Sequence, residues 1–125
     1  MSLFDFFRRK KKSDRPVDKS QWTGKDFEFL ITGNIVISES DFDKIMTPRS
    51  FEWIKVSKNG WTYYQIGQDE FSYSWEIPGI QMTFNESMPY QKAKKIADEV
   101  VENIKGTGQS AELVTIDKTK VYRFG

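Results

Sequence analysis

The sequence predicts an α+β fold, in which an antiparallel β-sheet is covered on one face by a single long helix near the C-terminus. Three observations support this prediction. Residues 51–84 alternate apolar and polar side chains between turn signals, which is typical of strands buried on one face. Residues 89–105, approximately, repeat apolar side chains at spacings of three and four, which is typical of an amphipathic helix. Aromatic residues make up 15% of the chain, and aromatic side chains favour strands.

The first predicted element is an N-terminal hairpin over residues 27–38, with its turn at 33–34. Both faces of this hairpin are apolar. It therefore needs cover on both sides, and we expect it either in the middle of the sheet or over an apolar patch elsewhere. A short helix over 38–47 follows, with serine at its start and proline after its end.

Residues 51–84 are predicted to form a four-stranded meander with three tight turns. Asn59-Gly60 is a strong hairpin signal, because both residues tolerate the positive φ of a two-residue turn. Further turns are predicted at 69–70 and 78–79. Since side chains alternate between the faces of a strand, these turns place an aromatic-rich set on the core face. That set is Phe51, Trp53, Tyr64, Ile66, Phe71, Tyr73, Trp75, Ile77, Ile80, Met82 and Phe84.

The positions of the turns also determine which residues pair across neighbouring strands. The turn at 69–70 sets Tyr64 opposite Trp75, and the turn at 78–79 sets Tyr73 opposite Phe84.

The opposite face of the meander is polar except for one apolar group on its first hairpin. This apolar cluster consists of Ile54, Val56, Trp61 and Tyr63. Tryptophan and tyrosine are enriched among the residues that dominate protein interfaces, so the cluster is predicted to bind another protein. The alternative is that the 27–38 hairpin covers the cluster in the folded chain.

The long helix over about 89–105 is predicted to start after Ser87 as N-cap, with Pro89 in the first turn, and to end at Gly106. Its apolar stripe is expected to pack on the aromatic face of the meander. Residues 111–124 then predict a C-terminal hairpin that completes the sheet.

The chain is predicted to hold a single α+β domain over 26–125, preceded by a flexible, basic, Phe-containing tail and linker over 1–25. Its charge is uneven, because residues 1–15 hold a net +4 and the remainder a net −3. The segment LFDFFRRKKK suits an anionic membrane surface, where apolar side chains enter the interface and cations meet the headgroups. Its residues are Leu3, Phe4, Phe6, Phe7, Arg8, Arg9, Lys10, Lys11 and Lys12.

The chain contains neither His nor Cys. This composition removes the usual general base near neutral pH, thiol nucleophiles and most transition-metal sites. Glu39, Asp41 and Asp43 lack the spaced acids and central glycine of a calcium loop, and acids at the start of a helix are explained by the helix dipole. We therefore predict no catalytic residues, no cofactor and no metal.

These observations favour a non-enzymatic, cytoplasmic protein-binding module. An inhibitor or immunity-type protein that neutralises another protein is one form of this function. The alternative is a peripheral membrane-surface adaptor that uses the N-terminal segment. Nucleic acid is not an expected partner of the body, because its net charge is negative.

Overall fold

Six antiparallel strands form one sheet, and a helix of 17 residues packs on one of its faces. The computed structural model describes residues 18–119. The strands are β1 (Phe27–Thr32), β2 (Ile54–Lys58), β3 (Trp61–Ile66), β4 (Asp69–Trp75), β5 (Gly79–Phe84) and β6 (Glu112–Asp117). The helices are α1 (Phe42–Ile45) and α2 (Tyr90–Gly106), and 3-10 turns cover Lys19–Gln21 and Glu39–Asp41. The predicted α+β fold is confirmed.

The strands are ordered β2-β3-β4-β5-β1-β6, so the predicted meander occupies one side of the sheet. Strand β1 comes first in the sequence but lies inside the sheet, paired with β5 on one side and β6 on the other. The 27–38 segment therefore supplies one strand and not the predicted two. Because both edges of β1 are already paired, no edge is left for a return strand, and residues 33–38 form a loop.

The loop after β1 is held by the side chain of Gln109. The backbone N–H of Val36 donates to Oε1 of Gln109 at 2.6 Å, and Nε2 of Gln109 donates to the Val36 carbonyl at 3.0 Å. The amide side chain thus pairs with this backbone as a neighbouring strand would. The return arm of the predicted C-terminal hairpin lies largely outside the described residues.

The first turn of the meander is where the sequence predicts it. Asn59 and Gly60 have φ of 54° and 77°, and Val56 pairs with Tyr63. This turn works because asparagine and glycine tolerate the left-handed backbone that a tight hairpin requires.

The other two turns lie elsewhere. The second turn is at 67–68, which pairs Tyr64 with Phe71 and not with Trp75. The third occupies 76–78, which pairs Tyr73 with Met82 and not with Phe84. The partners move by four and two residues. Because both shifts are even, the paired residues of β4 and β5 stay on their predicted faces.

The predicted core face is buried over most of its length but not at one end of the sheet. Tyr64, Phe71 and Met82 are buried, whereas Trp75 and Ile77 are exposed. The prediction that these two residues belong to the core is therefore wrong. Trp75 is the last residue of β4, and Ile77 lies in the turn between β4 and β5.

Helix α2 matches its predicted span within one residue and begins after Pro89, not after a side-chain cap from Ser87. Its buried stripe includes Ala93, Ile96, Val100 and Ile104, as the spacing predicts. An aromatic cluster lies between its first turn and the sheet, where Tyr90 meets Phe27 edge-on at 5.0 Å. The other rings of this cluster are Trp22, Phe29 and Phe84.

Candidate functional site

The four residues predicted to bind a partner lie in two different places. Ile54, Val56 and Tyr63 alternate with core-facing residues, so they lie on the sheet face away from α2. Trp61, at the start of β3, borders a cleft at the end of the sheet. The 27–38 hairpin does not cover the cluster, because its second half is a loop and Ile54 remains 66% exposed.

The cleft at this end of the sheet has a volume of about 450 Å³. It lies between the segment that contains α1 and strands β2 to β4, and aromatic rings form much of its wall. We call it the aromatic cleft. Its lining residues are Ile37, Glu39, Phe42, Asp43, Lys55, Gly60, Trp61, Thr62, Tyr64, Tyr73 and Trp75.

Phe42 of α1 connects the two sides of the aromatic cleft. Its ring meets Tyr73 edge-on at 5.9 Å and lies 6.4 Å from the ring of Trp75. The hydroxyl of Tyr73 donates to the carbonyl of Met46 at 2.9 Å. This hydrogen bond fixes the end of the α1 segment against β4, and burial raises the pKa of Tyr73 well above its ordinary value. Tyr73 is therefore a neutral part of the wall, held by this hydrogen bond.

The α1 segment is also attached to α2. Nδ2 of Asn103 donates to the carbonyls of Ile45 and Thr47, at 3.0 and 2.9 Å. Asn103 is buried, so these bonds are shielded from water. The long helix thus holds in place the short helix that supplies Phe42 and Asp43 to the aromatic cleft.

Asp43 forms the polar corner of the aromatic cleft. Its Oδ1 accepts a hydrogen bond from the Tyr64 hydroxyl at 2.6 Å, and its Oδ2 lies 3.0 Å from Nζ of Lys55. The hydrogen bond from Tyr64 lowers the pKa of Asp43, with burial opposing and Lys55 assisting. Burial, followed by the same contact with Asp43, raises the pKa of Tyr64. At neutral pH the pair is therefore a carboxylate and a neutral phenol.

Glu39 is the second carboxylate in the lining of the aromatic cleft. It belongs to the 3-10 turn before α1 and is exposed. Within residues 18–119 it makes no hydrogen bond or ion pair through its side chain. The lining therefore contains two carboxylates and one ammonium group, of which only Asp43 and Lys55 are paired with each other.

Large apolar side chains are exposed around the same end of the sheet. Trp61 is 49% exposed, Trp75 57%, Val36 80% and Ile77 100%. We call these four residues the exposed rim. They belong to the regions of the β2–β3 turn, the β4–β5 turn and the loop after β1, which all lie at this end of the sheet, where Thr32 pairs with Gly79.

Only Trp61 of the exposed rim was predicted as a binding residue. Trp75 and Ile77 follow the alternation of a core face, and nothing in that pattern shows where the cover of the sheet ends. The sequence feature that could have indicated their exposure is their position near the Pro78-Gly79 turn, because turns lie at the protein surface.

A larger groove of about 520 Å³ runs along the solvent side of α2. Long charged side chains form it, and several of them are already paired. Lys94 and Asp98 form an ion pair at 2.6 Å, and the backbone N–H of Ser50 donates to Glu99 at 2.8 Å. Tyr90 is the one aromatic residue among its lining residues, so this groove lacks the aromatic wall of the aromatic cleft.

The described residues contain no group of three or more acidic, His or Cys side chains with the geometry to hold a metal ion. No helix within 18–119 has both the length and the apolar content needed to cross a bilayer. The predicted membrane-surface residues, 3–12, lie outside the described part of the chain.

Comparison of the chain with protein-family models, curated proteins and solved structures finds no match in any of the three. Its function must therefore be inferred from its own residues and geometry.

Proposed function

We propose that this chain is a non-enzymatic protein-binding module whose partner contacts the aromatic cleft and the exposed rim. The observation that supports this proposal is the exposure of Trp61, Trp75 and Ile77 at one end of the sheet, beside a cleft. Large apolar side chains exposed at one end of a protein are typical of interaction sites, and tryptophan is enriched among the residues that dominate binding energy.

The size of the patch suits an interface anchor. If a partner buries a further ~100 Å² of each half-exposed tryptophan, each contributes about 2.5 kcal/mol to the free energy of binding at ~25 cal/mol per Å². Two tryptophans and Ile77 then give roughly 7 kcal/mol before the costs of association, which are about 4–15 kcal/mol. The exposed rim alone does not hold a stable complex, so the partner must also fill the aromatic cleft.

Within this class we favour a cytoplasmic inhibitor or immunity-type protein that neutralises its partner. The part of the chain after residue 15 has a net charge of −3, which suits a partner with a basic surface. The absence of cysteine from the chain suits a reducing compartment.

Co-purification from native lysate tests the position of the interface. We expect Ile77→Ser to lower the affinity for the captured partner about tenfold, because the apolar contact that Ile77 makes with the partner in the complex is lost. Ile77 is fully exposed in a turn, so this change does not disturb the fold.

Two matched variants distinguish the cleft from the other sheet face. Ile54→Thr tests the predicted apolar cluster, and Val114→Thr tests the far edge strand; both residues are exposed. Threonine keeps the β-branched shape that strands favour. Loss of the partner in Ile54→Thr alone would move the interface to the outer face and contradict the proposal.

The alternative function, attachment to an anionic membrane surface, is favoured by the run of phenylalanines and cations in residues 3–12. Vesicles with and without anionic lipid, mixed with the full chain and with a variant lacking residues 1–12, test it. Salt-sensitive binding that disappears with the deletion supports the adaptor. Partner capture that survives the deletion supports the protein-binding module.

A further inference from the structure

We propose that the aromatic cleft accepts an arginine side chain presented by the protein partner. This inference rests on the proposed function and adds the chemistry of the group that the partner inserts. Two features of the cleft lead to it: a carboxylate whose charge is not compensated, and aromatic surfaces that remain exposed. Other partner side chains suit these two features less well than arginine does.

The carboxylate is Glu39. The charge of Asp43 is already compensated by Lys55 at 3.0 Å and by the hydroxyl of Tyr64 at 2.6 Å. Glu39 has no such partner within residues 18–119, and the lining as a whole has a net charge of −1. A cation from outside would complete this charge balance.

The open aromatic surfaces are those of Trp61 and Trp75, which are each about half exposed while they line the cleft. Phe42 supplies a third ring beside Trp75, at 6.4 Å and tilted by 48°. The face of an aromatic ring is the negative end of its quadrupole, so a cation placed over an exposed ring face is attracted to it. Glu39 and the rings therefore favour the same sign of charge.

Other partner side chains fit less well. A carboxylate would be repelled by Glu39 and by the ring faces. An apolar side chain would take water away from Glu39 without compensating its charge. Lysine has the required charge, but its ammonium group is strongly hydrated, whereas a planar guanidinium is weakly hydrated and stacks on aromatic rings. Arginine therefore suits the aromatic cleft best.

The test uses the full chain labelled with ¹⁵N and three small probes, N-acetyl-arginine amide, N-acetyl-lysine amide and N-acetyl-citrulline amide. Citrulline has nearly the shape of arginine without its charge, which makes it the matched control. The readout is the indole N–H signals of Trp61 and Trp75 in NMR spectra, assigned with Trp61→Phe and Trp75→Phe. We expect the arginine probe to shift these signals saturably and to bind about fivefold or more tightly than the citrulline probe.

Two carboxamide variants test the role of the carboxylate. Glu39→Gln is expected to weaken arginine binding about two- to fivefold, the effect of one solvent-screened charge pair. Glu112→Gln, at an exposed position of β6 outside the cleft lining, is expected to leave arginine binding unchanged.

Equal binding of arginine and citrulline, no response of either indole, or lysine binding as tightly as arginine would each overturn the inference. Capture of the protein partner by the Ile77→Ser and Glu39→Gln variants separates failure of this inference from failure of the proposed function. If Ile77→Ser loses the partner and Glu39→Gln captures it normally, the proposed protein-binding function stands and the arginine inference is wrong. If neither variant changes capture of the partner, both the proposed function at this site and the arginine inference are wrong.

Discussion

Asp43 is the residue that connects the aromatic cleft to the stability of the fold. The hydroxyl of Tyr64 stabilises its charged form, so its pKa lies below the ordinary 3.8 although burial opposes the shift. A group whose pKa is lowered by folding contributes stability above its unfolded pKa and loses it as the pH falls through the folded pKa. The contribution of Asp43 is therefore complete at neutral pH and absent in strong acid.

Tyr64→Phe is expected to lower the free energy of unfolding by about 1–2 kcal/mol at pH 7, because a hydrogen bond to a carboxylate is lost. The difference from the unchanged protein should shrink as the pH falls toward about 2, because protonation of Asp43 removes the charged acceptor of this hydrogen bond. Urea denaturation at the two pH values measures it. Tyr63→Phe, on the outer face of the same strand, serves as control and should change stability by less than about 0.5 kcal/mol. A difference that grows in acid would contradict the assignment.

The burial of a residue depends on where along its strand it lies, as well as on its face. Trp75 and Phe71 share one face of β4, yet Phe71 is buried and Trp75 is not. Alternation in the sequence predicts the face correctly and predicts nothing about the extent of the cover above it. For this reason the alternation of side chains did not predict the exposure of Trp75 and Ile77.

At the scale of elements, α1 has only four residues and depends on its neighbours for its position. A helix of this length is not stable alone, because the cost of its first turn is not repaid by further hydrogen bonds. Asn103 of α2 supplies two hydrogen bonds to the backbone at the end of α1, and Phe42 packs against β4. Helix α2 thus helps to maintain the aromatic cleft, although none of its residues lines the cleft.

Asn103→Ala is expected to lower the free energy of unfolding by about 1–3 kcal/mol, since two backbone carbonyls lose their donor. Thermal or urea unfolding measures the loss. Glu102→Ala makes a similar change at the neighbouring exposed position of α2 and should change stability by less than about 0.5 kcal/mol. Equal stability of the two variants would show that Asn103 does not attach the α1 segment.

The strand registers show which contacts overrule a local turn signal. In the observed register Phe71 pairs with both Tyr64 and Phe84, and the three rings lie in a row at 5.5 and 6.0 Å. The register predicted from turns at 69–70 and 78–79 would separate them. The predicted register would also pair aromatic residues, but the rings aligned in the observed register are all buried. Burial of these rings is worth more than the preference of a few turn residues.

At the scale of the whole molecule, the sheet has two different faces. Helix α2 covers one face, and Phe29 there is fully buried among other rings. The neighbouring Leu30 points to the opposite face and is half-buried within the described part of the chain. The stability of the fold should therefore come mainly from one face.

Phe29→Ala is expected to cost about 3–5 kcal/mol, which is a large part of the ~5–15 kcal/mol that stabilises a typical domain. Leu30→Ala should cost about 1 kcal/mol, because less apolar surface is lost from the interior. Chemical denaturation of both variants in the full chain gives the comparison. A Leu30→Ala cost as large as that of Phe29→Ala would mean that the outer face is also covered.

The sequence by itself determined the features that depend on neighbouring residues. Spacings of three and four determined α2, Asn59-Gly60 determined the first turn, and alternation determined the face of each strand residue. Tertiary structure alone decided the position of β1 between β5 and β6, the two later registers, and the aromatic cleft with its exposed rim. These features depend on packing between residues far apart in the chain, and a local pattern contains no information about which distant surfaces will meet.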